Sequence, residues 1–134
     1  MRRSLLDTDI LSEFLRGNKK VIYYADEYLQ HYPSITFSII TYYEILNGLL
    51  YKDAKNQLKK FHDFVEHNRV LPLSMRATVI AAEIYADLRK KGKLIGHTDS
   101  LIAGIALSNH MQLVTNNTAH FQRVPGLELT NWMK

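Results

Sequence analysis

Cysteine is absent from the 134 residues. That excludes a disulfide scaffold, a Cys-based zinc site and a thiol nucleophile, and it fits a reducing compartment. Proline occurs only three times, and no Gly-rich phosphate loop or nucleophile elbow is present. No His-Glu-x-x-His helix occurs, and His62 and His67 are spaced off a common helical face. Those two, with His31 and His110, read as surface or helix-end residues. The basic N-terminus is interrupted by acids before any long apolar stretch develops. Neither a signal peptide nor a membrane span is expected, which points to a cytoplasmic protein without membrane contact. Repeats, low-complexity tracts and linkers are missing, so residues 1–134 are expected to form a single domain.

What is present is a core-forming composition with a basic balance. Hydrophobic residues make up 46% and charged residues 22%, enough for a packed interior and too apolar for disorder. Net charge is +4 and the isoelectric point about 9.3. Lysines gather at Lys19-Lys20, along Lys52 to Lys60, and around Arg89 to Lys93. Such a surface suits a polyanionic partner, though each cluster also reads as a solvated helix face.

The stretch Ser4-Leu-Leu-Asp7-Thr-Asp9-Ile-Leu-Ser-Glu-Phe-Leu15 predicts a buried strand feeding a helix over about 8–16. Further helices are expected over 19–31, 39–51, 53–68, 74–91 and 98–110, with Ser74 as a cap and Ala81, Ala82, Ile84 and Tyr85 on the apolar side of the fifth. Strands are expected over 34–38, 70–73, 112–115 and 127–130, the second of these at an edge or strand end because of Pro72. Residues 116–121 read as a turn or short helix. Alternating strands and helices predict an α/β fold with a parallel sheet covered on both faces.

Three acids stand at the starts of helices. Asp7 follows an apolar strand and is aimed at the sheet's carboxyl edge, where ligands gather in such folds; an N-cap is the purely structural reading, unless Thr8 or Asp9 caps instead. Glu44 either closes a capping box with Thr41 or, if Ser38 is the cap, stands a turn or more inside an apolar helix. Asp99 falls in the first turn of a helix capped by Thr98, where the dipole alone favours an acid; the apolar body from Leu101 to Leu107 predicts that this helix end points inward. Carboxylates about 4 Å apart repel by roughly 4 kcal/mol per pair at an effective dielectric of 20, so a cluster protonates or binds a cation. Oxygen ligands favour magnesium or manganese, which activate water for phosphodiester attack.

The segments Leu5-Leu-Asp7-Thr-Asp9-Ile-Leu-Ser12, Ser38-Ile-Ile-Thr-Tyr-Tyr-Glu44-Ile45, Gly96-His-Thr-Asp99-Ser-Leu-Ile-Ala103 and Val114-Thr-Asn-Asn-Thr-Ala-His-Phe121 resemble, in this order, the PIN-domain ribonucleases, in particular VapC-like toxins of type II toxin–antitoxin systems. The tail Phe121-Gln-Arg-Val-Pro-Gly-Leu127 resembles the same branch. The resemblance implies a three-layer α/β/α sandwich around a short, mainly parallel sheet. It implies a Mg2+- or Mn2+-dependent endoribonuclease cutting RNA such as tRNA or ribosomal RNA, inhibited by a cognate antitoxin and commonly a homodimer. Asp7, Glu44 and Asp99 would be catalytic, with Asp7 and Asp99 the direct metal ligands. Thr8, Asp9, Thr115, Asn117, His120 and Arg16 would support the site or position substrate. Many relatives carry a fourth acid where Asn116, Asn117 and His120 stand here, which bears on a second metal. His97, two residues before Asp99, is a further neighbour of interest. Two rival readings are a PIN-like module that binds without cutting, and a haloacid-dehalogenase-like phosphatase suggested by Asp7-Thr8-Asp9, although Ile10-Leu11 replaces the Gly-Thr that normally follows.

Overall fold

The computed structural model describes all residues, Met1–Lys134. Five short strands form the centre: β1 (Ser4–Leu6), β2 (Thr36–Ser38), β3 (Arg69–Leu71), β4 (Gln112–Val114) and β5 (Leu129–Thr130). Their order is β3-β2-β1-β4-β5, and every neighbouring pair is parallel. Seven helices cover this sheet: α1 (Thr8–Leu15), α2 (Lys19–Leu29), α3 (Ile39–Tyr51), α4 (Lys55–Glu66), α5 (Met75–Lys90), α6 (His97–Ser108) and α7 (Thr118–Phe121). The expected α/β/α sandwich is therefore what forms, with a sheet that is wholly parallel.

Strand alternation divides the interior in two. Leu5 and Leu113 face one side with α5, α6 and Phe121, whereas Leu6 and Val114 face the other with Ile10, Val21, Phe37, Phe61 and Trp132. All three residues of β1 are buried, as a central strand covered on both faces requires. β3 lies at the sheet edge and ends just before Pro72, so both expectations for that proline hold.

Helix starts follow their caps. Ser38 Oγ accepts from Thr41 N at 3.1 Å and Ser74 Oγ from Ala77 N at 3.1 Å. Two local expectations fail. Gly96, not Thr98, caps α6, so that helix starts at His97. On α5 the buried stripe is Ala77, Ala81, Ile84 and Leu88, and Ala82 is exposed one step round the helix. The stripe of small residues lets α5 and α6 approach closely: a Cβ on Gly104 would lie 2.5 Å from the Ala77 carbonyl oxygen.

β1 is the strand from which the chain first departs one way, to β2 and β3, and later the other way, to β4 and β5. The crevice between β1 and β4 is thus a topological switch point, the place where open parallel sheets bind ligands at their carboxyl ends.

Candidate active site

Asp7 is the first residue beyond β1 and Thr115 the first beyond β4. Backbone pairing carries on past the strand, with Asp7 N donating to the Val114 carbonyl at 2.9 Å. The side chains then close the crevice: Thr115 Oγ1 donates to Asp7 Oδ2 at 2.8 Å. Asp7 Oδ1 accepts from Thr8 N at 2.8 Å, so Asp7 is the N-cap of α1 after all. Capping does not bar a second role, since Asp7 is only 5% exposed yet faces two other acids, Asp9 and Asp99. Asn117 N donates to Thr115 Oγ1 at 2.9 Å, which fixes the hydroxyl so that its proton points to Asp7.

Asp9 sits two residues further along, half-buried, with Oδ1 accepting from Ile10 N at 2.7 Å and Oδ2 from Asn116 N at 3.0 Å. Its carboxylate therefore rests against the loop that follows β4.

Glu44 arrives from α3. With Ser38 as the cap, Glu44 is in the second turn and takes no part in a capping box. Its Oε1 accepts from Thr8 Oγ1 at 2.6 Å, and Thr8 Oγ1 lies 2.9 Å from the fully buried Thr41 Oγ1. Thr41 is the residue that sequence reasoning missed in this role; its i, i+3 spacing to Glu44 suggested only a cap.

Asp99 occupies the first turn of α6 and takes no hydrogen bond from the protein. Asn117 Nδ2 lies 3.1 Å from His120 Nδ1, and His120 is close enough to Asp99 to lower its carboxyl against the larger effect of burial, so the segment after β4 borders the same space. His97 does not join the acids. Its ring stacks on Tyr85, centroids 4.1 Å apart and 14° from parallel.

The electrostatics are those of a crowded, partly dry pocket. Burial pushes the Asp7 carboxyl up from its ordinary 3.8 to about 7, with Asp9 adding repulsion. Asp9 is raised chiefly by burial, and Asp99 by burial and then by Glu44. Desolvation therefore outweighs the mutual repulsion that sequence reasoning stressed. None of the four acids has a lysine, arginine or histidine within ion-pair distance. An oxygen-only set without a cationic partner fits a hard divalent ion. As the side chains stand, no three of them converge on one ion-sized point. Asp7, Asp9 and Glu44 are tied to protein donors, and Asp99 is the one free to turn.

Arg16, at the end of α1, is exposed and paired with Glu13 at 3.0 Å. It rims a groove of about 230 Å³ that begins at Thr8 and Glu44 and runs past Lys52 and Lys60. Of the two tyrosines beside Glu44, Tyr42 stacks on Phe61 within the core and Tyr43 is exposed.

The PIN domain profile matches residues 4–127, so the chain belongs to the PIN-domain family. Its full-length relatives include VapC proteins. It is 32% identical to Ribonuclease VapC2 of Rickettsia felis over 131 residues, covering 97% of this chain and 98% of that one. It is 33% identical to the tRNA(fMet)-specific endonuclease VapC of Salmonella typhimurium, covering 98% and 99%. Among solved structures, VapBC2 of Rickettsia felis bound to a promoter DNA fragment superimposes with a TM-score of 0.86 at 30% identity, over 96% of this chain and 98% of that one. Asp7-Thr8-Asp9 is thus the strand-end acid segment of a PIN domain, not the nucleophile motif of a haloacid-dehalogenase-like phosphatase. PIN-domain nucleases as a class depend on divalent metal ions. No helix here is long and apolar enough to cross a membrane.

Proposed function

We propose that this chain is a metal-dependent endoribonuclease and the toxin half of a type II toxin–antitoxin pair, acting in the cytoplasm as one domain. The observation that carries this is the charge balance. Four carboxylates, Asp7, Asp9, Glu44 and Asp99, border one crevice and none is in an ion pair with a lysine, arginine or histidine, in a chain whose net charge is +4. The basic surface draws in a polyanion; the acidic centre calls for an ion that would activate water against it.

Asp7 and Asp99 would hold Mg2+, with Mn2+ as a substitute, because both are hard ions served by carboxylate oxygen. Bound there, the ion supplies a water of lowered pKa and stabilises charge on the phosphoryl oxygens. Thr115 keeps the Asp7 carboxylate turned toward the crevice. Glu44, steadied by Thr8 through Oε1, has Oε2 left to take a proton from the attacking water. Asp9 adds negative charge beside Asp7, which supports a role for it in place of the absent acid after β4. Asn117 and His120 border the site and would contact the RNA or a metal-bound water. Arg16, Lys52 and Lys60 would neutralise RNA phosphates along the groove.

The likeness to VapBC2 of Rickettsia felis supports a cognate antitoxin as inhibitor, and a homodimer is the proposed assembly. RNA is the substrate class, with tRNA supported by the name of the Salmonella relative. Purified protein incubated with total RNA should produce new mapped 3′ and 5′ ends with Mg2+ and none with chelator. RNA bound but left intact under every divalent ion would instead identify a non-cutting module.

A further inference from the structure

The groove between α1 and the α3–α4 pair contains a residue that the fold does not ask for. Gly48 is in the interior of α3, where glycine costs about 1 kcal/mol relative to alanine. Two reasons usually excuse such a glycine, a left-handed backbone or a close neighbour. Neither applies: its φ is not positive, and a Cβ built on it meets nothing within 4 Å. Gly104 in α6 shows the contrast, with a backbone oxygen 2.5 Å from the corresponding point. Gly48 instead lines the groove, so what its missing side chain preserves is open space.

We propose that this groove is the subsite for one unpaired nucleotide of the RNA next to the scissile phosphate. The inference rests on the nuclease reading and extends it to substrate form. The groove is continuous with the reacting end, because Thr8 and Glu44 form its head. Its walls include Leu15, Ile45 and Leu49, an apolar slot for the face of a base. Its far rim carries Lys52 and Lys60, neither of which is paired to an acid. Lys52 caps α3 eight residues after Glu44, which sets their backbones about 12 Å apart along the helix axis. A single strand can run from the metal-binding acids to that cation while its base enters the slot. A volume of about 230 Å³ admits a lone base and excludes a duplex. Proteins read unpaired RNA in this way, by inserting splayed bases and neutralising the backbone.

Gly48→Leu directs a side chain into the slot from a Cβ that meets nothing within 4 Å, and Gly48→Ala is the conservative control. Both are made in an Asp7→Asn background, so that the RNA stays intact, and binding of a single-stranded RNA oligonucleotide in Mg2+ is followed by fluorescence anisotropy. Gly48→Leu should raise the Kd at least tenfold and Gly48→Ala less than threefold, with neither lowering the melting temperature. An oligonucleotide lacking the base beside the cleavage position should bind the parent about as weakly as the intact RNA binds Gly48→Leu, and should show no further loss with that variant. Unchanged affinity in Gly48→Leu would overturn the assignment, as would an equal loss on intact RNA and on every abasic RNA. So would a variant that binds RNA normally and fails only to bind the cognate antitoxin, which would give the groove to a protein arm. Cleavage by the unsubstituted protein is scored separately. Its absence under every metal would defeat the nuclease reading, while base-dependent binding in the groove would still be measured.

Discussion

Thr8 Oγ1 stands 2.6 Å from Glu44 Oε1 and 2.9 Å from Thr41 Oγ1. An ionised carboxylate only accepts, so the single Thr8 proton goes to Glu44 and Thr41 must donate to Thr8. The buried Thr41 hydroxyl therefore polarises the bond that orients Glu44, two links away. Thr41→Val should lower kcat roughly 5- to 30-fold, the worth of one net hydrogen bond of about 1–2 kcal/mol, and leave KM within twofold. Thr41→Ser should restore most of the rate. A loss matched by KM, or no rescue by serine, would mean that Thr41 serves packing alone.

Asp7→Asn should reduce RNA cleavage by at least about a hundredfold, the scale on which a positioned catalytic group acts. The melting temperature at pH 8 should stay close to the parent's: the substitution removes a buried charge and keeps an oxygen for Thr8 N, which offsets the acceptor that Thr115 Oγ1 loses. Asp99→Asn should behave alike in cleavage. Steady-state cleavage and thermal melts on the same preparations check both. Undiminished cleavage in either variant would remove that residue from the assignment.

The raised Asp7 carboxyl has a consequence for stability. Its folded value near 7 lies above the ordinary 3.8, so between these pH values the folded state holds a proton that the unfolded state has released. Stability of the metal-free protein therefore falls as pH rises from about 4 through 7, and levels off beyond. Asp9 and Asp99 are shifted in the same direction and add to the slope. Melting curves without metal should give a higher midpoint at pH 5 than at pH 8. Magnesium should raise the midpoint at pH 8 and have little effect at pH 5, where protons occupy its ligands. A midpoint that climbs with pH in chelator would contradict the pocket as described.

Lys52 and Lys60 face solvent without acid partners at the groove rim. Each phosphate contact on single-stranded RNA contributes about −0.7 to the slope of log K against log salt. Replacing either lysine with alanine should make that slope shallower by roughly this amount, and replacing both by twice it. Arg16→Ala should have a smaller effect, since Glu13 already neutralises part of its charge.

Gly104 tests the packing that carries Asp99. Any side chain there meets the Ala77 carbonyl at 2.5 Å, a backbone atom that cannot swing aside. Gly104→Val should cost about 1–3 kcal/mol and push α6 away from α5, with loss of cleavage following loss of fold. Chemical denaturation measures it.

The fold could be read from sequence because its signals are local. Runs such as Leu5-Leu6 followed by Asp7, helix caps at Ser38 and Ser74, and the break at Pro72 each act within a few residues. The α6 start was misplaced because Thr98 is the better capping side chain, whereas the chain uses Gly96, for which no side-chain bond is needed. The acids were legible as types at strand ends. What linear order could not convey is who holds whom: that Asp9 leans on Asn116, that Thr41 backs Thr8, and that burial rather than repulsion sets the proton affinity of Asp7. Such partnerships come from pairing of distant strands and have no signature in local spacing.

The bond from Thr115 to Asp7 joins residues 108 positions apart. During synthesis, the first strand emerges long before the fourth, and Asp99 also belongs to the last third of the chain. Until those late segments leave the ribosome, Asp7 has neither its hydroxyl partner nor the neighbouring carboxylate of Asp99. On the proposed assignment polypeptide order is a safety catch: an unfinished copy would be inert, and cleavage would begin only when β4 docks against β1.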